Sequence, residues 1–146
     1  MAYRKMKLGM VITMHSDLEK SVEFYKMMGL KLNFYVKEKW AEFDLGGIKF
    51  GLCPTEQKYD NIRTGIVIEI EEDLVKFYEK MSAKGVIFVN EPEVAAHGVM
   101  VGFKDPCGNV LDLYQATPEK VEQMVKEVIE KDAQKKAAQA SQDPDA

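Results

Sequence analysis

Histidine and cysteine are scarce in this chain, with two of each among 146 residues. His15 and His97 lie far apart, so no pair stands at metal-ligand spacing, and each reads as a surface or hydrogen-bonded histidine. Cys53 and Cys107 form no C-x-x-C pattern and nothing supports a disulfide between them, so a reduced, cytoplasmic compartment is the expectation. No apolar run approaches the roughly 18 residues of a membrane span. None follows the basic start Met1–Lys7 either, so no signal peptide is expected. Charge of one sign is not in large excess: 20 Lys and Arg against 24 Asp and Glu leave a net charge of −4. The basic residues are not gathered as a nucleic-acid-binding face requires. Partners of the nucleic-acid and membrane classes are therefore not expected. What remains is a chain that is 46% hydrophobic and 30% charged, of a length that forms one domain with a real core.

The positive content is a duplication. Gly9-Met10-Val11-Ile12 leads through Asp17-Leu18 to Phe24-Tyr25 and Gly29, and Gly65-Ile66-Val67-Ile68 leads through Asp73-Leu74 to Phe77-Tyr78 and Gly85. The strand starts and the Asp-Leu pairs are offset by 56 residues and the Phe-Tyr pairs by 53. A repeat at a fixed offset means one supersecondary unit used twice.

Each unit opens with an alternating run that reads as a strand with one buried face, carrying Met10, Ile12 and Met14 in the first unit and Ile66, Ile68 and Ile70 in the second. Ser16-Asp17-Leu18-Glu19 predicts a capping box with Ser16 as the cap. Gly29 and Gly85 stand where each helix should stop. Three further strands are expected in each unit: about Lys31–Lys37, Trp40–Leu45 and Ile48–Cys53, then about Ile87–Asn90, Val99–Phe103 and Val110–Tyr114. Gly46-Gly47 suits a two-residue hairpin, and Asp105-Pro106-Cys107-Gly108-Asn109 makes the last turn. The expected fold is α+β: two βαβββ modules, about residues 7–53 and 65–115, within a domain of residues 1–116. Beyond Thr117-Pro118 a helix is expected in 117–146, with an apolar stripe of Val121, Met124, Val125, Val128 and Ile129 for the body or a partner subunit. The Ala-, Gln- and Lys-rich end after Asp132 is expected to fray.

These features together resemble the vicinal oxygen chelate superfamily, also called the glyoxalase/bleomycin-resistance/dioxygenase fold. The residues that carry the resemblance are Asp17-Leu18-Glu19-Lys20-Ser21, Phe24-Tyr25, Gly29-Leu30, and Asp105-Pro106-Cys107-Gly108-Asn109-Val110-Leu111-Asp112-Leu113. The resemblance implies two curved sheets around a cavity, and a homodimer. In metal-using relatives the first and last strands of each unit supply the ligands. Those positions fall here on Gly9 (or Met10), Gly51, Gly65 and Asp112. Glycine has no ligating side chain and a thioether is soft, so no metal and no cofactor are expected.

Asp112, flanked by Leu111 and Leu113, should point to the concave face. It reads as a remnant ligand, a general base, a recognition carboxylate or a solvated residue at the rim. Glu42 shares a strand face with Trp40, and Glu69 shares one with Gly65 and Val67. If the three carboxylates line one cavity, they suit acid–base work or a cationic ligand, with Trp40 adding a cation–π surface. The alternative for any of them is solvent exposure beside Lys39 or Lys49. Trp40 reads equally as core. Tyr114 adds apolar surface to the candidate site. The expected function is metal-independent binding or sequestration of a small molecule between the two modules, as in the bleomycin-resistance branch. A metal-dependent lyase, isomerase or dioxygenase using Glu42, Glu69 and Asp112 is the second reading. An accessory subunit docking through its tail helix is the third.

Overall fold

Two aspartates start the two module helices. The computed structural model describes residues 5–95 and 97–142. In α1 (Leu18–Met27) the Asp17 carboxylate accepts from the Lys20 backbone N–H at 3.1 Å, and in α2 (Leu74–Ala83) Asp73 accepts from Lys76 N–H at 3.1 Å. The cap of α1 is therefore Asp17 and not Ser16. An aspartate occupies the cap in both repeats, which leaves the Ser16 hydroxyl free to turn toward Cys107. Gly29 and Gly85 follow the helices with φ of 99° and 95°.

The first module continues with β1 (Met10–His15) before α1, then β2 (Lys31–Val36), β3 (Trp40–Leu45) and β4 (Ile48–Pro54). The sheet order is β1-β4-β3-β2, with β1 parallel to β4 and the other pairs antiparallel. The second module has β5 (Ile62–Glu69) before α2, then β6 (Ile87–Phe88), β7 (Glu93–Ala95), β8 (Gly98–Lys104) and β9 (Asn109–Ala116). Its order is β5-β9-β8-β6, with β7 also on β8. The expected strand Ile87–Asn90 is thus shorter and is followed by a second short piece. Pro92 lacks the N–H that a continuous ladder needs. Here the Asn90 side-chain oxygen takes the Gly102 N–H at 2.9 Å instead.

The two sheets share one core. Tyr25 of α1, fully buried, packs against Phe43 and Phe50 of the first sheet and Phe103 of the second, at ring distances of 6.0, 5.1 and 6.4 Å. Burying such rings removes large apolar areas from water, at about 25 cal/mol per Å². The Ile66–Ile68–Ile70 face of the second module meets this core, as its alternation predicts. In β1 the prediction is reversed. Val11, Thr13 and His15 face inward, while Ile12 is 50% exposed. Both faces of β1 carry apolar residues, so hydrophobicity alone could not choose between them. The choice is made by hydrogen bonds that satisfy Thr13 and His15 inside.

The last element, α3 (Pro118–Gln142), runs past Asp132, where the composition predicts fraying. Ala, Gln and Lys are strong helix formers and carry it on. The predicted Val121 and Met124 side chains lie outside the described ones. Val125, Val128 and Ile129 are exposed.

Candidate functional site

The residues singled out by sequence divide between the two sheets. Trp40 and Glu42 lie on β3, and Glu69, Asp112 and Tyr114 lie on β5 and β9. Each set sits on the strand face opposite to the core residues that flank it, such as Ala41, Phe43, Ile68, Leu111 and Leu113. Because Tyr25 and the common core stand between the sheets, Glu42 is not brought to Glu69 and Asp112. The three-carboxylate cavity does not form within one chain.

On the first sheet, the space left by Gly51 is not empty. A Cβ at that position would lie 2.9 Å from the Trp40 Cη2 and 3.4 Å from Ile12 Cγ1. Gly51 is opposite Ile12 on β1 and Glu42 on β3, so the indole fills the position where the resemblance expects a ligand. Glu42 is mostly buried, and the Asn33 amide donates to it at 3.1 Å. On the second sheet, Asp112 is paired with the Arg63 guanidinium at 3.5 Å. Its register partner on β5 is Val67, and Tyr114 stands opposite Glu69. Val67, Glu69, Asp112 and Tyr114 therefore form one patch across two neighbouring strands. The Tyr114 hydroxyl donates to the His97 carbonyl at 2.7 Å, and the two rings lie 5.4 Å apart.

Between the modules lies a cleft of about 510 Å³. Leu8, Val11, Leu45 and Ile48 line it from the first module, and residues 65–69 from the second. Among the described residues that line it, Glu69 is the one charged group. A larger groove of about 690 Å³ opens beside the start of α1, lined with charges of both signs by Asp17, Glu19, Lys37, Glu38, Glu56 and Lys58.

Sequence reasoning missed the polar junction of the modules. Asp105 is buried and accepts from the Tyr25 hydroxyl at 2.7 Å, Cys107 N–H at 2.9 Å and Asn109 N–H at 3.0 Å. Asn109 also donates to the Met14 carbonyl of β1 at 2.9 Å. His15 bonds Thr13 at 2.6 Å and Ser21 at 2.7 Å, and Ser21 touches the Cys107 sulfur at 3.2 Å. Burial pushes the His15 pKa down to about 4, against the attraction of Asp105. Burial and the neighbouring Asp105 carboxylate raise that of Tyr25 well above its ordinary value. This network joins α1 to the Asp105–Asn109 turn, and its fully satisfied members argue for fixing module geometry rather than for catalysis. The turn motif was visible in the sequence, but its partner Tyr25 was legible only as an aromatic of a helix.

With that geometry in place, comparison with known proteins decides the family. Residues 7–113 match the model of the glyoxalase/bleomycin resistance protein/dioxygenase superfamily. The chain belongs to that superfamily. It is 30% identical over 110 residues to the metallothiol transferase FosB of Shouchella clausii, covering 70% of this chain and 75% of that one. It is 29% identical over 128 residues to the protein YraH of Bacillus subtilis, covering 75% and 98%. Among solved structures, a variant of the fosfomycin resistance protein FosX of Listeria monocytogenes, complexed with Mn(II) and 1S,2S-dihydroxypropylphosphonic acid, superposes with a TM-score of 0.66 at 18% identity, covering 80% and 97%.

A metal does not fit the donors at the four positions that the resemblance assigns to ligands. The early position of the first module offers Gly9, which is outside β1, or the Met10 thioether. Gly51 is covered by an indole, Gly65 has no side chain, and Asp112 is ion-paired with Arg63. Among the described residues, no group of three or more His, Cys, Asp or Glu is placed to hold an ion.

Proposed function

We propose that this member of the superfamily binds a small molecule without a metal, in the cleft between its βαβββ modules. The observation that carries this reading is the cleft itself: apolar side chains from both modules, with Glu69 as its charged lining residue. Such a site suits a ligand with an apolar body and a cationic end. Asp112 and Tyr114, beside Glu69 across β5 and β9, extend the contact patch. Trp40 and Glu42 take structural roles in this reading, because one covers Gly51 and the other is held by Asn33.

The test is calorimetry with a panel of lipophilic amines and their neutral carbon isosteres. Amines should bind more tightly than their isosteres, and Glu69→Gln should erase the difference. Equal binding of both classes, or an unchanged preference in the variant, would refute the reading.

A second reading, a metal-dependent enzyme, draws support from the similarity to FosB. It requires donors other than the four positions above, and Glu42, Glu69 and Asp112 stand on two sheets. Mass-spectrometric metal content separates the two readings. One ion per chain after exposure to Ni, Zn, Mn or Fe and desalting would favour the enzyme, and none would favour the binder.

A further inference from the structure

The C-terminal helix carries a charge pattern that the body does not use. α3 has 25 residues, touches the body mainly at β8, and leaves Val125, Val128 and Ile129 52%, 56% and 63% exposed. Most helical stability in proteins comes from packing an apolar face, and here that face is turned to water. At about 100° per residue, Glu122, Val125, Lys126, Asp132, Ala133 and Lys136 all fall in one strip within about 60° of Ile129.

The strip is antisymmetric in charge about Ile129. Seven residues before it is Glu122, and seven after is Lys136. Three before is Lys126, and three after is Asp132. Four before is Val125, and four after is Ala133. Reversing the helix about Ile129 therefore exchanges, level by level along the axis, every charge in the strip for its opposite and a larger apolar residue for a small one.

We propose that α3 pairs antiparallel with α3 of a second copy of this chain, with the twofold axis at Ile129. In that register Ile129 meets its own counterpart. Glu122 of each copy meets Lys136 of the other across the seam, while Lys126 lies level with the partner's Asp132 at the opposite edge, as Val125 does with the partner's Ala133. The middle of the helix lies at residue 130, so pairing about Ile129 overlaps nearly its whole length. A parallel pair would set Glu122 on Glu122 and Lys136 on Lys136, which like-charge repulsion opposes. The isologous geometry closes on two copies. This pairing does not depend on what the cleft binds.

Disulfide cross-linking of the full chain tests it. Ile129→Cys should give a linked dimer rapidly under mild oxidation. Gln134→Cys, about 140° around the helix, should not. Both variants keep the buried Cys107 and the partly buried Cys53 as a common background. In the Ile129→Cys background, Lys136→Glu turns two ion pairs repulsive and should weaken association about tenfold. Adding Glu122→Lys should restore it. Equal linking of the two cysteine variants would overturn the proposal, as would a thiol at 129 oxidised without dimer, the sign of a helix folded onto its own body. So would a double charge swap that fails to recover.

Discussion

Lowering the pH from 7 to 5 should weaken this fold through one residue, His15. Its imidazole is 1% exposed and hydrogen-bonded to Thr13 and Ser21, and burial brings its pKa from 6.5 down to about 4. Asp105, 3.9 Å away, pulls in the other direction and loses to desolvation. Because the folded pKa is the lower one, the unfolded chain takes up a proton first. The stabilisation is complete above about pH 6.5 and is lost as the pH falls toward 4. Each tenfold change in proton affinity is worth about 1.4 kcal/mol, so the full loss is about 3 kcal/mol, of which about 2 kcal/mol falls between pH 7 and 5. Urea unfolding followed by far-UV circular dichroism at the two pH values reads this directly. For a chain of this size the midpoint should drop by about 1 M. The control is His15→Gln, which starts less stable but has no imidazole at position 15 to titrate. Asp60, whose pKa the Lys104 ammonium lowers, titrates below this window. If wild type and His15→Gln lose the same stability between pH 7 and 5, the buried neutral histidine is the wrong account.

Three further outcomes follow from the same geometry. Tyr25→Phe removes the hydroxyl that donates to buried Asp105, and should cost about 1–3 kcal/mol in urea unfolding; an unchanged midpoint would show that the module junction does not depend on it. Gly108→Ala puts a Cβ at φ 85° and 2.7 Å from Asp60 Cα in the connector, so a loss of about 1–3 kcal/mol is expected in urea unfolding, and an unchanged midpoint would refute it. Gly51→Ala must displace the Trp40 indole. A red shift in the emission of this sole tryptophan should accompany a loss of about 1–3 kcal/mol, and an unshifted spectrum would contradict the packing.

Much of the architecture is a local property and could be read from the chain. The Asp-Leu pairs cap helices because a short carboxylate satisfies free N–H groups wherever it precedes a helical run, and Asp17 and Asp73 do so in both modules. Gly46-Gly47 closes its hairpin because both residues take positive φ. The Ile66–Ile70 face is buried because its strand alternates cleanly. Where local signals tie, reading fails. β1 is apolar on both faces, and Pro92 interrupts a strand whose composition still reads as β.

The site depended on more than local pattern. Alternation in the sequence set Glu42 on one strand face with Trp40, Glu69 on one with Val67, and Asp112 opposite Leu111 and Leu113, and the registers keep those groupings. It could not say which of those faces meet, because that is decided by contacts between residues far apart in the chain. Tyr25 reaches Asp105 across 80 positions and Asn109 reaches Met14 across 95, and these bonds hold the two sheets on opposite sides of one core. The same long-range packing fills the Gly51 gap with Trp40, sets Arg63 beside Asp112 and opens the apolar cleft at Glu69. Residue types alone determined the duplicated modules and put glycine at three of the four positions where the resemblance expects a metal ligand. Tertiary structure decided which carboxylates share a surface, because a side chain's partners follow from the docking of whole sheets and not from its own neighbours in sequence.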